Sequence, residues 1–456
     1  MRKMLQIIYR SIVRWMVKRN IVWPIVWVYS IVIKEVTVED WSHSNEKPTI
    51  LAINANRFRK DLEILSNTKQ FKILSMPFKW QQRLLSPFWT KPFPPKRYHN
   101  PDPQKDQDII AMQQSLRSFF RKFLPLLFKQ LKIDCVIGAA IHYKQDYDFG
   151  FITHEIGVPF IVLHKENFAA SQRLVEGNYN RSKNMGRFKG THIIVHNEIM
   201  KDIFIRSGFV KPVNISALGC LRMDDYIRKV KQSNIIYENH MSKKRVALFY
   251  FQHGVGLSTL MGAWSTDGKT GFIKLFEDAH MTIARLASRY SDIEFVIKAK
   301  WGGEWVDRIK DVILKNNINP DSLKNLIITS ERDAQEIILQ SDVICGFGST
   351  TILEAAITGK PVIIPFFDEA VMTEYSDSVI LKDDLHHFDV AGSPAEFEEM
   401  IIKRIHDPSV DPFVLKERER LFERYVSCLA GNASERYVNL IADIIHQSRK
   451  SCKNCH

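Results

Sequence analysis

The chain reads as an α/β protein of two Rossmann-like, parallel-sheet domains, and three observations lead there. Short apolar runs alternate with longer helix-periodic segments from Thr49 onward, the rhythm of a parallel sheet covered by helices on both faces. The rhythm lapses across the polar, charged stretch Arg222–Ser242 and resumes at Arg245. At 456 residues the chain is also too long for one core and suits two domains with extensions. The expected divisions are 1–45, a basic amphipathic segment; 46–221, the first domain; 222–242, a linker; 243–430, the second domain; and 431–456, a C-terminal helix and tail.

Residues 1–34 hold Arg2, Lys3, Arg10, Arg14, Lys18, Arg19 and Lys34 and no acid, seven of the +13 formal charges. Arg10, Arg14 and Lys18 fall at i, i+4, i+8 and share a helical face, with Ile7, Ile8, Ile12, Val13, Trp15 and Met16 interspersed. That is the pattern of a basic amphipathic helix on an anionic membrane, with Trp15, Trp23 and Trp27 suited to the headgroup level. The alternative is a helix packed on the protein's own body. The mostly apolar run Ile21–Ile33 contains Pro24 and is too short to span a bilayer comfortably, and no cleavage site follows it. The expected location is therefore cytoplasmic, peripheral to the inner face of the membrane. The rest of the chain is mildly basic, which fits anionic substrates and argues against a nucleic-acid partner. Cys135, Cys220 and Cys345 fall in or beside expected strands, as buried thiols in a reducing compartment do. Cys452, Cys455 and His456 match a haem-attachment spacing but read as a frayed tail.

Expected strands in the first domain are Thr49–Asn54, Phe71–Leu74, Cys135–Gly138, Pro159–Leu163, His192–Val195 and Asn214–Leu218, with helices at Asp108–Leu131 and Glu198–Ser207. Lys79–Asp106 is rich in Pro, aromatic and basic residues and reads as a long loop, either contacting acceptor or membrane or simply exposed. The second domain has expected strands Val246–Phe251, Glu294–Lys298, Leu326–Thr329, Val343–Cys345 and Val362–Ile364. Its helices are expected at Phe272–Tyr290, Trp305–Asn316, Ala334–Gln340, Pro394–His406 and Pro412–Val426. The last helix, Ser434–His446, follows an Asn or Ser cap.

The most informative stretch is Asp342–Pro365, which reads strand, glycine turn, helix, glycine stop, strand. Gly346 and Gly348 permit a sharp turn, and Ser349 or Thr350 caps a helix carrying Ile352, Leu353, Ala356 and Ile357 at helical spacing. A hydroxyl-rich turn at a helix start suits a phosphate, and Glu354, one turn on, suits ribose or sugar hydroxyls. The bland reading is an ordinary βαβ crossover, and the spacing is not that of a P-loop. Ligands of parallel sheets lie beyond the strands' carboxyl ends, which adds His253, Gly254, Lys298, Lys300, Glu331 and Thr351 as binding candidates.

With Gly359-Lys360-Pro361 included, the phrase resembles the nucleotide-sugar site of GT-B glycosyltransferases and their relatives, the UDP-N-acetylglucosamine 2-epimerases and CDP-glycerol polymer transferases. The resemblance is strongest over Ile327–Pro365. It implies two domains facing a cleft, the donor in the second and the acceptor in the first, with no metal and no cofactor beyond the nucleotide-sugar co-substrate, whose nucleotide (UDP, CDP or CMP) stays open. The implied reaction moves a sugar or sugar-like unit to a surface glycan, of capsule or lipopolysaccharide type, or to a lipid-linked acceptor. A 2-epimerase and a non-catalytic glycan-binding subunit of the same fold are the rivals. The acceptor needs a base, and His142 and Asp146 after one first-domain strand, and His164 and Glu166 after the next, have the right chemistry in the right places.

Overall fold

The computed structural model describes residues 11–13, 15–36, 47–90, 92–93, 95–236, 243–249, 271–300 and 302–453. They divide into two compact units. The first holds the described residues of Met1–Asn167, Tyr179–Asp224 and Asn432–His456, and the second those of Phe168–Asn178 and Asp225–Gly431.

The first unit is built on strands β1 (Lys34–Glu35), β2 (Thr49–Ala52), β3 (Lys72–Ser75), β4 (Cys135–Gly138), β5 (Phe160–Leu163), β6 (His192–Val195) and β7 (Ile215–Ala217). Among the described residues they form a seven-stranded sheet in the order β1-β3-β2-β4-β5-β6-β7. Only the edge pair β1 with β3 is antiparallel. Every residue of β2, β4, β5 and β6 is buried, which is why these segments are continuous apolar runs rather than alternating ones. Phe160 needs unusual room. A Cβ on Gly150 would lie 2.1 Å from its ring, and one on Gly190 2.8 Å from it, so neither glycine can carry a side chain without repacking.

The second unit has β8 (Arg245–Phe249), β9 (Glu294–Lys298), β10 (Leu326–Thr329), β11 (Val343–Gly346), β12 (Val362–Pro365) and β13 (Asp389–Ala391). They form a parallel six-stranded sheet in the order β10-β9-β8-β11-β12-β13. Numbered within the unit this is 3-2-1-4-5-6, the doubly wound arrangement, whose winding reverses between β8 and β11. In the first unit the reversal falls between β2 and β4.

Several expectations change. The stretch read as a linker contains the helix Met223–Ile236, and the Lys79–Asp106 loop contains most of the helix Phe78–Leu85 and all of Pro95–His99. Their Pro and charge density hid short amphipathic turns. His142 to Asp148 is no simple loop, because Asp146 and Asp148 lie in the helix Lys144–Glu155. The C-terminal helix, Ala433–Lys453, is part of the first unit's core, where Tyr437, Ile441 and Ile445 join Ile50, Leu62 and Leu65. Its start is capped from far away in sequence: the Asp224 carboxylate accepts from the backbone N–H groups of Ala433 and Ser434, at 3.0 and 2.7 Å.

The N-terminal segment belongs to the first unit as well. In the helix Trp23–Val32, Ile25, Val26 and Tyr29 are buried. Tyr29 meets Phe123 edge-on at 5.6 Å and donates its hydroxyl to the Trp80 carbonyl at 2.8 Å. Truncating residues 1–34 would therefore open this core, and the first strand begins at Lys34 rather than Thr49. No described helix is long and apolar enough to cross a membrane.

Candidate functional site

Parallel pairing brings the carboxyl ends of each sheet's parallel strands to one edge, and a gap opens there where the winding reverses. In the second unit that point lies beyond β8 and β11. His253 and Gly254, expected after β8, lie outside the described residues. Beyond β11 the chain turns through Gly348, whose φ of +63° favours glycine, with open space around its missing side chain. The helix that follows, Thr351–Ala356, is only six residues long, so its dipole is a smaller resource than the sequence suggests. Capping also differs. Thr350 is the N-cap but makes no side-chain cap bond, while the Ser349 hydroxyl accepts from the Thr351 N–H at 3.3 Å and from the Thr351 hydroxyl at 2.8 Å. The backbone N–H groups of Gly348, Ser349 and Thr350 have no hydrogen-bond partner among the described residues. Successive unbonded N–H groups in a turn are an anion receptor of the nest type.

Glu354 is buried rather than presented to solvent. One carboxylate oxygen accepts from the Gln335 side-chain amide at 3.1 Å, and Gln335 opens the helix Ala334–Gln340 that follows β10. Lys298 spends two of its three protons on the carbonyls of Ala299 and Ser330, at 2.6 and 3.1 Å, which ties the ends of β9 and β10 together. Lys300 and Glu331 are exposed at the same strand ends. Lys360, in the Gly-Lys-Pro phrase, donates to the carbonyls of Ile338 and Leu339, and burial draws its ammonium down to about 7. It closes the end of the helix Ala334–Gln340.

In the first unit the reversal point lies beyond β2 and β4. Asn54 turns the chain after β2 with φ +53°. Its backbone N–H donates to the Gln81 side chain at 2.8 Å, and Gln81 in turn donates to Asp146 at 2.8 Å. The Asn54 amide reaches the other Asp146 oxygen at 3.4 Å. Burial lifts the Asp146 carboxyl to about 7 against the lowering effect of these two donors. It lines a small cavity of about 30 Å³ with Phe160, Phe188 and Arg187. Asp148 is a structural acid, paired with Arg117 at 2.7 Å and bonded by the Tyr98 hydroxyl.

Beyond β5, His164 is buried, and its Nε2–H donates to the Glu166 carbonyl at 3.1 Å. That bond fixes the tautomer and leaves Nδ1 a lone-pair acceptor without a partner. Burial, and then the Arg181 charge, hold His164 down to about 3, so it is neutral at pH 7. The His142 ring lies 6.0 Å from that of His164, and the same two causes keep it well below its ordinary value. The Glu166 carboxylate is partly exposed and sits 3.5 Å from the Lys165 ammonium. Glu166, His164 and His142 thus come together, while Asp146 is enclosed by Asn54 and Gln81. Asn54, Arg57, Gln81, Arg181 and Gln335 are absent from the sequence reading. Asn54 had a signal, being the last residue of an expected strand, whereas Gln81, Arg181 and Gln335 sit on helices without one.

No family profile and no curated protein matches the chain. Among solved structures, it is similar to the UDP-GlcNAc 2-epimerase from Neisseria meningitidis bound to UDP-GlcNAc, at 13% identity, covering 87% of this chain and 100% of that one with a TM-score of 0.49. It is similar to Acinetobacter baumannii MurG, at 12% identity over 87% of this chain and 99% of that one, TM-score 0.43. It is similar also to Anabaena HepE in complex with UDP and glucose, at 10% identity over 86% and 99%, TM-score 0.41.

The Asp146 carboxyl gives a testable consequence. Its folded value of about 7 lies above the model-peptide 3.8, so the neutral acid stabilises the fold at low pH and that contribution is lost as pH rises toward 7. Asp146→Asn keeps the shape and stays neutral. The variant should match the wild type in urea stability at pH 3.5 and gain on it progressively up to pH 7.5. A difference in stability that does not change with pH contradicts the buried neutral acid.

Proposed function

We propose that the chain is a nucleotide-sugar-dependent transferase that moves a sugar, or sugar-like unit, to a surface glycan or lipid-linked acceptor at the inner face of a membrane. The observation that carries the reading is the Gly348–Thr350 turn, with three N–H groups that have no partner among the described residues, at the reversal point of a doubly wound sheet. A diphosphate is the ligand such a turn suits, and buried Glu354, oriented by Gln335, supplies an acceptor for hydroxyls beside it. Lys300 adds a cation at the neighbouring strand end, and His253 and Gly254 remain part of the proposal from sequence alone.

The acceptor side is the first unit's carboxyl edge. As the acceptor oxygen bonds to the anomeric carbon, the bond from that carbon to the diphosphate breaks, and the acceptor's proton passes to a base. Of the four candidates, His164 and Asp146 are buried, and His142 is held neutral well below its ordinary value. Glu166 is the partly exposed carboxylate, and we assign it the base. His164 is a positioning residue, because its Nε2–H holds the Glu166 backbone carbonyl. The departing negative charge is met by the Gly348–Thr350 N–H groups.

Attachment to a membrane has a specific support. While one face of the N-terminal segment is buried, the other presents Trp23, Trp27 and Ile31 at i, i+4, i+8, with exposures of 66%, 66% and 54%. Ile12 and Trp15 are also exposed, as are the cations Lys18, Arg19 and Lys34. Exposed tryptophans flanked by cations suit an anionic lipid interface. Packing on the body accounts for the buried face, and the exposed face is the one we propose to contact lipid.

Two experiments test this reading. Glu166→Gln should lower transfer from a nucleotide sugar about 10²–10⁴-fold, the range for loss of a general base, with nucleotide affinity held. Turnover above a tenth of wild type would remove Glu166 from the mechanism, and conversion of a labelled donor without any acceptor would favour the epimerase. In vesicle sedimentation, Trp23→Ser with Trp27→Ser should release the full-length protein from anionic vesicles while its melting temperature stays within a few degrees. Equal binding by wild type and double variant would contradict the lipid-facing surface.

A further inference from the structure

The first unit's carboxyl edge contains a cationic group that the transfer reaction as described does not use. Arg181, on the helix Gln172–Asn184, is half-buried, yet its guanidinium has no hydrogen bond or ion pair among the described residues. Glu166 and Tyr143 lie within its electrostatic reach, as does His164. Arg57 acts on the same tyrosine, with its guanidinium 5.3 Å from the Tyr143 ring centroid, and it forms no ion pair among the described residues. The Lys165 ammonium is 3.5 Å from Glu166, beyond good hydrogen-bond length. Lys165 and Arg181 thus act on Glu166 while Arg57 lies over the neighbouring Tyr143 and acts on Asp146, and the buried His164 Nδ1 has no partner among the described residues.

A half-buried guanidinium loses hydration without recovering it from a carboxylate, a cost that proteins meet by pairing or by reserving the group for a ligand. Guanidinium forks suit tetrahedral oxyanions, and the tyrosine ring offers a flat wall beside them. A hydroxyl carried by the same ligand would find an acceptor in the partly exposed Glu166 carboxylate.

We infer that Arg57, Lys165 and Arg181 form a receptor for a phosphate ester, so that the acceptor is a phosphate-bearing polyol, sugar or lipid whose hydroxyl is presented to Glu166. As a statement about the acceptor this rests on the transferase reading; as a statement about an anion site it does not. The recognition is of charge and tetrahedral shape, and the three cations hold the phosphate while the Glu166 carboxylate faces the hydroxyl.

Calorimetric titration of the full chain with glycerol 3-phosphate and with octyl phosphate tests it, with UDP titrated in parallel. Both phosphates should bind, and Arg181→Met should weaken them about tenfold or more, the scale of a lost hydrogen bond to a charged group. UDP affinity should be the same in wild type and variant. Glu166→Gln removes the carboxylate facing the anion and should tighten phosphate binding severalfold, a gain that misfolding cannot mimic. Octyl phosphate binding the more tightly would identify the lipid source, and equal binding the polyol source. No binding of either phosphate to the wild type, or equal affinities in wild type, Arg181→Met and Glu166→Gln, would overturn the receptor. UDP binding lost while the phosphate results hold would sink the donor reading and leave this one standing.

Discussion

Parallel pairing is the constraint on which the rest of the structure depends. A parallel strand can be followed by its neighbour only through a crossover that returns the chain to the same end of the sheet. Both faces are then covered, so the strands must be apolar throughout, as Ile50–Ala52, Cys135–Gly138 and Ile363–Ile364 are. Polar chemistry is left one place to collect, the edge where strands end and crossovers begin. In the first unit that edge gathers Asn54, Asp146, His164, Glu166 and Arg57; in the second, Lys298, Lys300, Glu331 and the Gly348–Thr351 turn.

The two edges differ in how they handle charge. In the second unit the site-side lysine is partly committed, since Lys298 holds two carbonyls, and Lys360 is engaged away from the turn by the carbonyls of Ile338 and Leu339. Backbone N–H groups carry the anion-binding capacity instead. Their donors are fixed by the turn itself and need no side-chain ordering when a ligand arrives. In the first unit the arrangement reverses. The side chains of Lys165 and Arg181 act on Glu166, and the neutral His164 holds the Glu166 backbone carbonyl. Burial and neighbouring cations keep both His142 and His164 uncharged, which leaves the carboxylates and guanidiniums to set the field.

How much of this was legible in the sequence follows from range. Cys135–Gly138, His192–Val195, Glu294–Lys298 and Leu326–Thr329 stand where the apolar runs put them, because a short apolar run bounded by turns is a local signal. The Gly348 turn was legible for the same reason. The edge strands Lys34–Glu35 and Asp389–Ala391 were not, since two or three residues at a sheet margin carry no apolar run. Nor was the cap that Asp224 provides to the C-terminal helix, or the bond from Gln81 to Asp146, because each partner is specified only by the assembled fold. Glu354 was found for its spacing, but its burial and the Gln335 amide that orients it depend on how two helices meet after β10 and β11.

In the transferase proposed above, a nucleoside diphosphate engages the turn after β11. Hydrogen–deuterium exchange of the full-length protein with and without UDP addresses it directly, because the Gly348, Ser349 and Thr350 N–H groups have no partner among the described residues and should exchange quickly in the free protein. Saturating UDP should slow exchange in a peptide covering Gly346–Thr351, and leave one covering Cys135–Gly138 unchanged. If UDP binds and the Gly346–Thr351 peptide exchanges as fast as before, the diphosphate sits elsewhere and the account of the donor site is wrong.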